Sequence, residues 1–370
     1  VTTREVLQQV AAWQAAETDC ALATIVCAEG STPRPVGTVM AVSRGGVVAG
    51  SISVGCVESD LFHTAIEVTD TGRPVVRRYA VGDDEFGGAD LMCGGSMAVL
   101  VQPAGPGALP GLALAADAVA AGRPVVFGTV VSRGPRLGGT VVVTADSYAG
   151  SCGDPLLDAA VVVRARTHLD AGTPTTVRLG ENGECTENGL AVLISSVTPP
   201  PRMLVFGAMD FAHALTRAAK TLGYSVTLCD ARPVFATRQR FPDADEVVVM
   251  WPHQYLGQAT IDPSTAICVL THDPRFDVPV LTIALRSGAG YVGAMGSRRS
   301  HLDRVDRLRA AGVTDAELAR LAAPIGLDLG AQTPEETAVS ILAEIIALRR
   351  GGSGRRLGGL TGPIHGRGAP

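Results

Sequence analysis

One run constrains this chain more than any other: Thr198-Pro199-Pro200-Pro201-Arg202. Three consecutive prolines fix φ, remove three backbone donors and exclude both helix and central strand. The run is a stiff linker, so the residues on either side must bury separate cores. Each side is long enough to do so without a disulfide framework or a structural metal. The expected division is residues 1–197, residues 202–350 and a Gly- and Arg-rich tail at 351–370.

After the linker the pattern alternates between strand and helix. Apolar runs at 203–206, 225–229, 247–250, 266–270 and 291–292 read as buried strands. Helical patterns lie at 211–222, 281–285, 302–311 and 338–348, the last opened by Thr333 as N-cap, Pro334 and Glu336. Such alternation predicts a parallel sheet covered by helices, a Rossmann-like domain. The first half reads differently. Strand-like runs at 22–27, 39–42, 75–81, 97–101, 125–131 and 140–144 are separated by helical stretches near 60–68, 112–121 and 156–169. It predicts a mixed α/β domain with Gly-rich loops and shows no internal repeat. At the start, Thr2 and Glu5 have capping-box spacing, and Val6, Leu7, Val10 and Trp13 form one stripe.

Composition narrows the function classes. With 46% hydrophobic and 18% charged residues the chain is not a disordered one, and a net charge of −5 argues against nucleic acid as a partner. The longest uncharged stretch, 91–116, is broken by Pro103, Pro106 and Pro110, so no membrane span is expected. No basic segment runs into an apolar leader at the start, so a cytoplasmic setting with free thiols is the expectation. Eight cysteines are present, with no C-x-x-C pair. Cys20, Cys27, Cys229 and Cys268 lie in strand-like runs and read as core. Cys152 and Cys185 take no assignment. Cys56, in Ser53-Val54-Gly55-Cys56-Val57-Glu58, and Cys93, in Met92-Cys93-Gly94-Gly95, are framed by glycines that let a bulky ligand approach. A thiol before a helix has its thiolate favoured. Arg34 sits in a third loop, Gly30-Ser31-Thr32-Pro33-Arg34-Pro35, which proline makes rigid.

The second half begins as a dinucleotide unit would. A strand runs into Gly207, and Asp230 closes the next strand, where such an acid takes ribose hydroxyls. The glycine fingerprint is degenerate, however. Met209 and Ala212 stand where the second and third glycines belong, and Asp210 places a negative charge where a phosphate would sit. NAD(P) binding in the usual pose is therefore disfavoured. A second candidate anion site is Gly293-Ala294-Met295-Gly296-Ser297-Arg298-Arg299, where a strand enters a helix. Its backbone donors and two guanidiniums suit a phosphate. The alternative is Ser297 as a helix cap with Arg298 and Arg299 solvated. His272 and Asp273, at the end of a strand, either orient a ligand or hold a turn before Pro274.

These words together resemble the xanthine dehydrogenase accessory protein family (XdhC/CoxI). In the first half the likeness rests on Gly30–Arg34, on the run from Gly50 to Glu58 and on Cys93-Gly94-Gly95. In the second half it rests on Asp230-Ala231-Arg232, on Thr271-His272-Asp273-Pro274-Arg275-Phe276-Asp277, on the segment from Tyr291 to Arg299 and on the segment from Ala323 to Gly330. The resemblance implies a chaperone for the molybdenum cofactor, a pyranopterin with or without a dinucleotide extension. It implies as partners a cysteine desulfurase and a molybdenum hydroxylase of the xanthine or carbon monoxide dehydrogenase type, and a homodimeric state. The family pattern has Gly-Ala-Gly-His-Val-Gly at 207–212 and a further Gly at Val54, and this chain departs from both. On this reading Cys56 and Cys93 contact the molybdenum–dithiolene end from one cleft. Arg34 holds a phosphate or oxo group, and Glu58 bonds the pterin edge. A groove between the halves, with His272, Asp273 and Arg298, takes any dinucleotide extension. The rival expectations are an NAD(P)-dependent oxidoreductase and a scaffold whose cysteines are core.

Overall fold

The computed structural model describes residues 2–53, 55, 57–80, 95–169, 172–180 and 183–361. It separates into two compact units with their boundary at 199/200. In the first unit, α1 (Thr3–Ala15) starts from the expected capping box, and its buried stripe is Val6, Leu7, Val10 and Trp13. Ten strands follow, in two antiparallel sheets of five. The first sheet has the order β3-β2-β1-β5-β4, built from β1 (Cys20–Glu29), β2 (Val39–Ser43), β3 (Val48–Gly50), β4 (Val75–Tyr79) and β5 (Ser96–Pro103). The second has the order β8-β7-β6-β10-β9, built from β6 (Val125–Val130), β7 (Thr140–Val143), β8 (Tyr148–Ser151), β9 (Thr175–Leu179) and β10 (Leu190–Val197). α2 (Glu58–Thr71) lies between β3 and β4, α3 (Leu112–Ala120) precedes β6, and α4 (Pro155–Thr167) lies between β8 and β9.

The two sheets have the same strand order with the same helix placements, so the first unit is a tandem duplication. The absence of a repeat expected from sequence is thus corrected. The correspondence reaches single residues. Gly50 and Gly150 lie in the third strand of each repeat at φ +82° and +91°. Gly72 and Gly172 follow the helix at φ +66° and +62°, each two residues before a proline. The repeats pack reciprocally: a Cβ on Gly37 would meet Pro174 of the second repeat at 2.9 Å, and one on Gly138 would meet Pro74 of the first at 3.1 Å. Identities between the repeats are few and scattered, among them Val42 and Val142, Ala49-Gly50-Ser51 and Ala149-Gly150-Ser151, and Ala65 and Ala165, which hides the period. α2 covers one face of the first sheet through Leu61, Ala65 and Val68. α4 covers one face of the second through Leu157, Val161 and Ala165. The remaining faces share a core with α1 and α3.

The second unit is the expected parallel sheet. Its order is β13-β12-β11-β14-β15-β16, from β11 (Arg202–Phe206), β12 (Ser225–Asp230), β13 (Glu246–Val249), β14 (Ala266–Val269), β15 (Tyr291–Ala294) and β16 (Leu321–Ala322). Strands β11, β12 and β14 are buried along nearly their whole length, as a doubly covered sheet requires. α5 (Asp210–Thr221) and α10 (Pro334–Arg350) share one core with the sheet. α6 (Pro252–Leu256), α7 (Pro274–Arg286) and α8 (Arg298–Ala310) share the other, and α9 (Asp315–Leu318) follows α8. α7 starts seven residues before the helix read at 281, because Asp273 caps it and Pro274 occupies its first turn. No helix among the described residues is long and apolar enough to cross a membrane.

Candidate functional site

Strand direction brings three loops to one edge of the first sheet. β1 ends at Glu29, which pairs with Ser96 at the start of β5. β3 ends at Gly50, opposite Met40 near the start of β2. β4 ends at Tyr79, opposite Met97. The Arg34 loop, Gly55 and Gly95 therefore share that edge. Gly95 is wedged against the Arg34 loop, since a Cβ there would lie 2.6 Å from the Glu29 carbonyl. Cys56 and Cys93 themselves lie outside the described residues. Gly55 beside Cys56 is described: it has φ +112° and open space where a side chain would be. Arg34 has no ion pair among the described residues.

Glu58 is the most engaged side chain at this edge. Its Oε1 accepts from Ser51 Oγ (2.9 Å) and Ser53 N–H (2.7 Å), and its Oε2 accepts from Gly55 N–H (3.0 Å) and Ser53 Oγ. Burial raises the Glu58 carboxyl, but the donors from Ser53 and Ser51 outweigh it and hold it below its ordinary value. Glu58 thus clasps the loop with both oxygens, which leaves it little capacity for a pterin edge as expected from sequence. Ser51 and Ser53 were quoted in the resemblance, yet their role was missed. The signal was a serine pair followed by an acid at the helix start.

The other thiols divide by strand geometry. Cys20, Cys152, Cys229 and Cys268 are buried. Burial pushes Cys20 up to about 11, and Cys152 and Cys229 up to about 12. Cys27 is exposed, which corrects its expected core position: the register of β1 shifts between Ile25 and Cys27 and breaks the in–out alternation. Cys185 is exposed, with Arg164 Nη2 2.8 Å from its sulfur.

In the second unit Gly207, Asp230, His272 and Gly296 lie at the carboxyl ends of adjoining strands, the edge where such sheets take ligands. Gly207 has φ +108°, and a Cβ there would strike Thr271 Cγ2 at 2.8 Å, so its glycine serves packing. Asp230 is fully committed. It accepts from Ala208 N–H (2.8 Å) and from Arg232 through N–H, Nε and Nη2 (2.9, 2.9 and 2.7 Å). Burial raises its carboxyl, and the Arg232 guanidinium more than reverses this. The acid read as a ribose ligand is therefore taken by an arginine two residues on, a signal present in Asp230-Ala231-Arg232. Met209 is 46% exposed at the N-cap of α5, with its sulfur 3.9 Å from Arg232 Nη2.

Ser297 caps α8, accepting from Ser300 N–H at 3.1 Å, while Arg298 and Arg299 are exposed. The cap is in place, and neither Arg298 nor Arg299 has an ion pair among the described residues. Gly296 leaves room for Arg304, whose guanidinium nitrogens would lie 3.5 Å from a Cβ there. Arg304 and Asp277 form a buried pair at 3.0 Å, their side chains 6% and 5% exposed. Thr271 donates to the same carboxylate, and Arg304 Nη2 donates to the Met295 carbonyl at 2.7 Å. Arg304 Nη1 is buried without a partner among the described residues. Burial pushes Asp277 up despite Thr271 and Arg304. Asp273 caps α7 through Arg275 N–H (2.9 Å) and pairs with the Arg275 guanidinium, the turn-holding alternative. His272 lines a cavity of about 180 Å³ with Ser300, Asp303, Arg304 and Arg307.

A duplicated antiparallel α/β unit followed by a Rossmann-like domain with a closed nucleotide loop defines a narrow class. Residues 203–345 match the family model described as the XdhC Rossmann domain, and residues 13–80 and 118–180 match the XdhC and CoxI family. The chain belongs to the XdhC and CoxI family. The two matches in the first half fall on β1–β4 and β6–β9, one in each repeat. The chain is 28% identical over 335 residues to a protein of Bacillus subtilis (strain 168) named as a probable xanthine dehydrogenase subunit, covering 90% of this chain and 94% of that one. It is 27% identical over 330 residues to the molybdenum cofactor insertion chaperone PaoD of Escherichia coli (strain K12), covering 89% and 83%. It superimposes with a TM-score of 0.74 on the crystal structure of a xanthine dehydrogenase from Bacillus halodurans, 26% identical, covering 95% of this chain and 96% of that one.

Proposed function

We propose that this protein is a chaperone that binds the molybdenum cofactor and delivers it to a molybdenum hydroxylase. A single observation carries the reading most directly: the Arg34 loop, Gly55 and Gly95 lie at one edge of the first sheet, and no described residue fills the space at Gly55. The likeness to PaoD, named as an insertion chaperone, supports the same reading.

The donor chemistry of the chain suits the group. Cys56 and Cys93 supply thiolates to the metal end, and Arg34, without an acidic partner among the described residues, is available to an oxyanion. When bound, the cofactor supplies a molybdenum centre and a dithiolene for a partner's redox chemistry. This chain holds and shields it. Glu58 holds the backbone N–H groups of Ser53 and Gly55, which lowers the ordering cost of binding there. A cysteine desulfurase supplies sulfur to the held cofactor, and the chaperone acts in the cytoplasm as a homodimer. In the second unit, His272, Asp273 and the segment Gly296-Ser297-Arg298-Arg299 at the sheet's carboxyl edge are the residues suited to a nucleotide phosphate. NAD(P) is not the ligand there: Arg232 holds Asp230, and Met209 stands at the start of α5.

The test is retention of molybdenum and pterin on a desalting column. Cys56→Ala and Cys93→Ala are each expected to lose most of the cofactor that wild type keeps. Wild-type retention by both variants overturns the thiol site.

A further inference from the structure

The duplication allows the same device to be compared at two places in one chain. In the first repeat Ser51 Oγ donates to Glu58, seven residues on. In the second, Ser151 Oγ donates to Asp158 at the same spacing, at 2.7 Å. Each acid also takes a backbone N–H, though one position apart in the repeat: Ser53 N–H meets Glu58 at 2.7 Å, and Cys152 N–H, opposite Ile52, meets Asp158 at 2.6 Å. The glycine-to-serine bonds are two positions apart, Gly55 to Ser53 (3.1 Å) and Gly153 to Ser151 (2.9 Å).

What differs is where the helix starts. α4 begins at Pro155, capped by Asp154, three residues before its clasping acid. α2 begins at Glu58 itself, with no side-chain cap. Gly55 and Val57 thus stand opposite Pro155 and Leu157 in the first turn of α4, and in the first repeat the helix has not yet begun at either. Gly55, opposite Pro155, has φ +112°, which no α-helix contains. The clasping acid is longer by one methylene here, and its second oxygen reaches Gly55 N–H at 3.0 Å, a bond without counterpart among the described residues of the second repeat.

We infer that Glu58 is a positioning residue that holds this turn unwound for ligand binding, and that Asp158 is its purely structural duplicate. The inference rests on the proposal that the Gly55–Val57 loop carries the ligand thiol. In the second repeat no cysteine stands opposite Cys56; Leu156 does, and Cys152, opposite Ile52, is sealed in the core with its sulfur toward the Gly128 and Gly139 carbonyls. One repeat has kept the clasp for folding, and the other uses it to present a loop.

The experiment compares Glu58→Gln with Asp158→Asn in the full chain. Thermal midpoint, retained pterin and the pH profile of Cys56 alkylation, resolved by peptide mass spectrometry, are measured for each. Similar losses in midpoint are expected. Glu58→Gln is expected to lose about tenfold in retained pterin and to change the Cys56 rate about fivefold or more, and Asp158→Asn to leave both near wild type. Equal effects of the two variants on retention and on Cys56 overturn the inference, as does an unchanged Cys56 profile in Glu58→Gln. Should Glu58→Gln fail to fold, Ser51→Ala against Ser151→Ala removes a single donor from each clasp and reads out the same contrast. Cys56→Ser separates the two ideas. If it keeps wild-type cofactor while Glu58→Gln alone alters Cys56 alkylation, the thiol site fails and the positioning role stands.

Discussion

Asp277→Ala strands a buried cation, and the structure sets the size of the effect. The Arg304 side chain is 6% exposed, its Nη1 has no partner among the described residues, and its Nη2 is shared between Asp277 and the Met295 carbonyl. Removing the carboxylate leaves the guanidinium with one carbonyl and no counter-charge. Breaking a buried pair in this way costs about 3–5 kcal/mol. For a unit of this size each kcal/mol shifts the midpoint by roughly 2–4 °C, so a loss of about 6–20 °C is expected. The pair itself contributes little net stability, because burial pushes Asp277 up even against Thr271 and Arg304. Asp277→Leu with Arg304→Met should therefore return to within about 4 °C of wild type. Differential scanning calorimetry of the full chain follows the second unit's transition. A single-variant loss below about 3 °C, or a double variant worse than the single, refutes the reasoning.

The duplication predicts matched costs at its reciprocal contacts: Gly37→Ala and Gly138→Ala place a Cβ at φ +83° and +79° against Pro174 and Pro74, so each should lose about 1–3 kcal/mol in urea unfolding, within about 1 kcal/mol of the other. Glu58 and Asp230 are both held below ordinary carboxyl values, so the stability they contribute is complete above the unfolded value, about 4, and is lost as pH falls through the folded one. Urea midpoints from pH 7 to pH 3 should fall less steeply for Glu58→Gln than for wild type. Met209→Gly should not create dinucleotide binding, because Arg232 still occupies Asp230; fluorescence titration with NADPH should show no saturation below about 1 mM, and micromolar binding contradicts the closed-loop account.

The prolines at 199–201 and the strand–helix alternation after them made the second unit legible, since a doubly buried parallel sheet writes itself as unbroken apolar runs. The family words Gly30–Arg34 and Gly50–Glu58 lie at one edge of the first sheet. What the sequence concealed were pairings between residues whose individual roles look ordinary. Asp230 reads as a ribose ligand until Arg232 is seen on both its oxygens. Glu58 reads as a ligand contact until its oxygens are counted. The repeat was written in Ala49-Gly50-Ser51 and Ala149-Gly150-Ser151, but the remaining identities are scattered singly and the clasping acids differ, Glu58 against Asp158, so the period does not stand out. Cys27 was misplaced because a bulge reverses an alternation that a single sequence displays as regular.

The central claim is that this chain carries molybdenum cofactor to another protein. Cofactor-loaded protein mixed with a cofactor-free molybdenum hydroxylase, with molybdenum and pterin followed on both chains, tests it directly. The account predicts hydroxylase activity rising in step with pterin leaving this chain. Loaded protein that retains its pterin while the hydroxylase stays inactive, or purified protein that takes up no pterin at all, contradicts it.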